Sequence, residues 1–182
     1  MEDTEVILTA LPIPMWDTEI LDVSKSSPNE KLRLELFKHG IDGPMKMVDK
    51  KKTNIDTTMI ANGMLPLPRE FTLKGFNLFL DESATSEEQL EIFGHGVFYF
   101  SLHQRVLAEF HLSQFPRPGG TRRADQEKMI PFHMGDKEKA ADFYRLRPTE
   151  HFLVQIEWNT PPKISRPLSI RCFLEGTLWL PL

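Results

Sequence analysis

From Pro167 to Leu182 the apolar residues Leu168, Ile170, Cys172, Leu174, Leu178 and Leu180 hold the even positions, while Ser169, Arg171, Glu175 and Thr177 hold odd ones. An extended chain sends successive side chains to opposite faces, so this period of two predicts a strand with one face in a core. His151–Trp158 repeats the pattern, with Phe152, Val154, Ile156 and Trp158 against His151, Gln155 and Glu157; Leu153 breaks the polar side. Residues 142–182 therefore read as three strands in succession. The last runs to the end of the sequence and leaves no length for a catalytic layer beyond it.

Further strands follow from the same rule. Leu32–Phe37 alternates Leu32, Leu34 and Leu36 with Arg33 and Glu35, although its composition would also suit a short helix. In Phe71–Leu80 the apolar phase changes from Phe71 and Leu73 to Phe76, Leu78 and Leu80. A flip at Gly75 predicts a bulge, where one extra residue re-aims the chain. Val97–Leu102 is apolar on both faces, as a central strand would be. Val106–Leu112 places Val106, Ala108, Phe110 and Leu112 opposite Arg105, Glu109 and His111. One short helix is expected over Ser86–Phe93. Ser86 can cap it with Gln89 three residues on, Glu87 and Glu88 suit its N-terminus, and Gly94 and Gly96 end it.

The remainder is irregular. Pro12, Pro14 and Pro28 interrupt residues 1–30, which read as an arm or an edge strand. Lys50, Lys51 and Lys52 lie in the middle of Met45–Ile60, where a solvated loop is the expectation and a phosphate or lipid-headgroup contact the alternative. Phe115–Gly135 is long, rich in proline and glycine, and of the kind that is usually functional or ordered by a partner; a helical turn capped by Asp136 follows. About eight strands, one helix and no βαβ rhythm predict an all-β fold: an eight-stranded antiparallel jelly-roll sandwich with an extended N-terminal arm. The division is an arm at 1–30 and one domain at 31–182.

Composition narrows the function. A chain of 182 residues with 40% hydrophobic and 26% charged residues is an ordinary globular protein, able to bury roughly 70% of its unfolded surface. Thirteen Phe against two Tyr favour packing between apolar layers over a wet groove. A net charge of −4 and an acidic start at Glu2, Asp3 and Glu5 argue against nucleic-acid binding, which needs clustered positive charge. The single cysteine, Cys172, excludes an intrachain disulfide and reads as a small buried hydrophobe. No signal peptide is visible, and no apolar run approaches the roughly 20 residues that span a bilayer. A reducing cytoplasm is the expected place of work or assembly.

Catalytic chemistry finds little support. The six histidines, His39, His95, His103, His111, His133 and His151, include no His-x-His pair of the kind a cupin metal site uses. His103 and His111 fall on successive strands and could meet, or could be ordinary polar residues. There is no Gly-x-Ser-x-Gly elbow and no Walker sequence. Arg122 and Arg123 beside Gly119 and Gly120 offer at most an anion contact. More unusual is apolar weight where the alternation calls for polar residues: Phe173 and Trp179 on the outer side of the last strand, Leu153 on that of the preceding one. Adjacent outer aromatics indicate a covered surface, with the cover coming from the arm, a neighbouring subunit or both. Leu153, Phe173 and Trp179 are the candidate subunit contacts.

Several segments resemble a known family. Thr53-Asn54, Gly63-Met64-Leu65-Pro66-Leu67-Pro68-Arg69-Glu70-Phe71 before a strand, Phe143–Arg147, the Pro148–Trp158 strand and the closing strand with Glu175-Gly176 are similar to jelly-roll capsid proteins. The likeness is to those of tailless icosahedral bacteriophages and their uncultured relatives, over roughly residues 36–182. It implies a virion protein with one jelly roll per subunit, no catalysis, no cofactor and no metal. Its partners would be copies of itself and other capsid proteins, with an internal lipid membrane where such virions enclose one. Without a basic arm, no sequence-specific nucleic-acid partner is expected. Two rivals remain: a carbohydrate-binding jelly-roll module using Trp16, Trp158 and Trp179, although Trp158 should point inward, and a cupin-like metal enzyme.

Overall fold

The structure, a computed structural model, describes residues 8–115, 130–131 and 144–181. Two antiparallel sheets face one another across an apolar core. In the first, the long C-terminal strand β10 (Leu168–Pro181) lies between the edge strands β1 (Leu8–Leu11) and β2 (Met15–Leu21) on one side and β4 (Glu70–Leu80) on the other. β4 in turn pairs with β7 (Ile130–Pro131) and β8 (Tyr144–Leu146). The second sheet runs β3 (Leu32–Leu36), β9 (Phe152–Trp158), β5 (Gly96–Leu102), β6 (Arg105–His111). The sheet is antiparallel throughout because every pairing joins a strand to one that returns beside it.

The pairings are nested. β5 and β6 form the central hairpin; outside it in sequence β4 meets β7 and β8, then β3 meets β9, and last β1 and β2 meet β10. Successive pairs belong to alternate sheets. β1 and β2 share one edge of β10, facing Leu178–Pro181 and Leu168–Leu174 in turn, and the prolines at 12 and 14 account for the break between them. Within the stretch read as an arm or an edge strand, residues 8–11 and 15–21 are thus edge strands.

Alternation explains the core. Phe71, Leu73, Phe76, Leu78, Leu168, Ile170, Cys172 and Leu174 point in from one sheet, and Leu34, Phe98, Phe100, Val154, Ile156 and Trp158 from the other. Phe76 packs at 5.0 Å from Phe98 and 5.3 Å from Phe100, so phenylalanine rings join the two layers. The bulge falls where the apolar phase changes. Gly75 faces Glu175 while Leu73 faces Gly176, which makes Lys74 the inserted residue. There β4 and β10 approach so closely that a Cβ at Gly176 would lie 2.0 Å from the Thr72 carbonyl oxygen.

Three local expectations are corrected. The helix α1 spans Ser86–His95, but its cap is Thr85, whose hydroxyl accepts from the Glu88 amide while Glu88 accepts from the Thr85 amide. Thr85-x-x-Glu88 wins over Ser86-x-x-Gln89 because the Glu88 carboxylate also accepts from the amide and hydroxyl of Ser165. These bonds, the Ser165 and Thr85 amides foremost, hold its carboxyl down to about 2. Val106, expected inside, is exposed: Phe100 faces Ala108 while Ser101 faces Val106, so a bulge at Leu107 turns it outward. The third concerns Lys52, which is buried and not in a solvated loop. Arg122, Arg123, the Gly119–Gly120 turn and the helical turn at Asp136 lie outside the described residues.

Candidate functional site

The outer side of the first sheet carries the aromatic residues picked out by the alternation. Phe173 faces Trp16 across the β10–β2 ladder, with ring centroids 6.3 Å apart, and meets Phe79 of β4 edge-on at 5.1 Å. Phe79 is 43% exposed and neighbouring Ile55 71%. The Ile55 carbonyl oxygen accepts from Trp16 Nε1 (3.3 Å) and from Arg171 (3.2 Å), which draws the 53–58 segment onto the edge of this face. Three strands therefore contribute to one apolar stripe.

Trp179 lies six residues further along β10, about 20 Å away at strand rise. Its Nε1 donates to Thr72 Oγ1 (2.9 Å), and the Arg145 guanidinium stacks 5.1 Å from its ring while also pairing with Glu70. Phe173 and Trp179 are half-buried by these neighbours, so part of the expected cover is the chain's own. Leu153 is on the other sheet, half-buried beside a shallow depression of about 420 Å³ formed by the Phe152–Gln155 strand, Gly63, Ser101 and Val106. The three contact candidates do not converge on one site.

The chemistry of the rival readings can be placed as well. Trp158 is fully buried, with Nε1 donating to the Ile92 carbonyl oxygen (2.9 Å), which removes it from any exposed row of tryptophans. His103 and His111 do not meet. They sit at opposite ends of β6, the first in a turn whose amide bonds the His151 carbonyl oxygen and the second against Ser113. Among the described residues no group of three or more His, Cys, Asp or Glu is placed to hold a metal ion.

One cluster escaped the sequence reading. Asp17 and Glu19, two apart on β2, face inward with Met15 and Leu21. Between them lies Lys52, delivered by a loop whose backbone is fixed through Lys52 N–H to the Gly43 carbonyl oxygen and Asp42 N–H to the Lys52 carbonyl oxygen. Its Nζ donates to Asp17 Oδ1 (2.7 Å) and Oδ2 (2.6 Å). Glu19 Oε1 is 2.7 Å away as an ion contact without the geometry of a hydrogen bond. The Phe37 amide also donates to Asp17 Oδ2 (2.6 Å) and the Lys46 amide to Glu19 Oε2 (3.1 Å). All three side chains are at most 1% exposed. Burial pushes both carboxyls up, and Lys52 only partly opposes it.

Comparison with family models, with curated proteins and with solved structures finds no match to this chain.

Proposed function

We propose that this chain is a structural subunit of an icosahedral viral shell, built on a single jelly roll. The observation that carries the reading is the nested pairing. Counting β1 with β2 and β7 with β8 as interrupted single strands, four antiparallel pairs alternate between the two sheets, an arrangement that supports a jelly-roll reading. The family resemblance over residues 36–182 adds the capsid assignment to that path. In this role the flat sides of the sandwich meet copies of the same chain and other capsid proteins. Several interfaces of about 1,000 Å² each sum to a stable closed shell. The role is structural rather than enzymatic, with the virion as the final location and the host cytoplasm as the place of assembly. An internal lipid membrane is a further partner on this reading.

Size-exclusion chromatography with electron microscopy of the purified chain tests it. Capsomers or shells are expected; a monomer that binds glycans, or one that holds stoichiometric metal, overturns it. Trp179→Ala is expected to lower particle yield while leaving the monomer's melting temperature within a few degrees, since loss of one half-exposed contact costs little in the fold. Equal losses in both measurements would remove Trp179 from the contact surface.

A further inference from the structure

We propose that Lys52 and Asp17 condense into an intramolecular isopeptide bond, with Glu19 carrying the proton. Both Asp17 oxygens lie within 2.7 Å of Nζ, which centres the nitrogen on that carboxyl group, whereas Glu19 offers one oxygen only. That difference selects Asp17 as the electrophile and Glu19 as the acid–base group.

The step balances within the cluster. A proton passes from the Lys52 ammonium to Asp17, which gives a neutral amine beside a neutral acid, with Glu19 ionised. Nζ adds to the Asp17 carboxyl carbon and Glu19 takes a proton from the nitrogen as the C–N bond forms. Glu19 then returns it to the leaving hydroxyl, the C–O bond breaks, and one water departs. No oxidant or co-reactant is needed, and the net charge of the cluster is unchanged.

The surroundings favour each stage. Desolvation raises the Asp17 carboxyl, which brings the acid form within reach. The Phe37 amide is a fixed donor at Oδ2 for the charge that develops on that oxygen. Holding amine and acid in contact replaces a bimolecular encounter, an advantage that reaches effective molarities of about 10⁵ M or more in well-oriented systems. Exclusion of solvent from all three side chains protects the product from hydrolysis. Condensation also removes a buried ion pair whose desolvation is costly.

The bond requires the fold but no assembly, so it stands apart from the capsid reading and is carried equally by monomer and particle. The test is the intact mass of the full chain, unfolded after incubation in the folded state, followed by peptide mapping. One water fewer than the sequence requires is expected, with a linked peptide joining the Asp17 and Lys52 segments. Lys52→Arg is expected to show the full mass, and Glu19→Gln to lose water about a hundredfold more slowly, the range of a general acid–base group. A wild-type chain at full mass overturns the proposal without reference to any variant. So does a lost water that persists in Lys52→Arg, or a link mapped to Glu19. An unchanged rate in Glu19→Gln removes that residue's part.

Discussion

Two ion clusters brace opposite sheets, and they are built on opposite principles. On the second sheet Glu157 of β9 meets two cations, Lys31 at 2.5 Å and Arg33 at 2.6 Å, both about half exposed. On the first, Lys52 alone meets two acids in an interior closed to water. Burial works against the Glu157 carboxylate too, but hydrogen bonds and charge from Lys31 and Arg33 overcome it and the carboxyl is lowered. Around Lys52 burial wins and both acids are raised. The number of cations per acid and the access of water decide the direction, not the presence of a salt bridge.

The largest break in this comparison is Lys52→Met, measured against the chain before any Lys52–Asp17 condensation, which leaves two acids buried without a cation. A loss of about 3–5 kcal/mol is expected in urea denaturation, the range for removing one partner of a buried pair. A loss under about 1 kcal/mol would mean that water reaches the site.

A second test concerns the sign of the pH dependence. A carboxyl raised in the fold binds its proton more tightly folded than unfolded. The contribution of Glu19 is therefore fully present below its ordinary 4.5 and declines as pH rises through the higher folded value. Glu157, lowered, contributes above 4.5 and loses that contribution as pH falls. Melting temperatures across this range should fall less steeply with rising pH in Glu19→Gln than in the unaltered chain. An identical slope would show that Glu19 does not titrate in this window. The smallest effect belongs to Arg33→Ala, expected to cost under about 1 kcal/mol and to shrink further in high salt, since its exposed guanidinium is already screened. A larger, salt-independent cost would place the Glu157 cluster in the same class as the Lys52 one.

Period-two alternation made the strands legible: Phe152–Trp158 and Leu168–Pro181 fall where their apolar positions demand, and the phase change at Gly75 marks a bulge. A second bulge was not legible. Leu107 has no glycine beside it and both of its neighbours read as strand residues, so alternation alone puts Val106 on the wrong face. Lys52 was missed for a different reason. Three consecutive lysines look alike in composition, and only the backbone path of the 43–52 loop buries the third. A signal did exist in Asp17 and Glu19, which share the inward phase of Met15 and Leu21: two acids on a core face need a cation from elsewhere in the chain. The outer aromatics Phe173 and Trp179 were visible in the sequence, but their own-chain partners Trp16, Phe79 and Arg145 depend on register across strands. Alternation within one strand carries no information about that register.

Nested pairing also sets the order in which the chain can be completed. The strand ending at Leu21 is made early, yet its ladder partner starts at Leu168. Such distant contacts give a high contact order and slow folding. On the ribosome the β5–β6 hairpin can close soon after it emerges, while Met15 and Leu21 wait until Leu168–Leu174 have been translated. A nascent chain halted before β10 would therefore expose the apolar side of β2 and β4, and it is at this stage that a chaperone has most to protect.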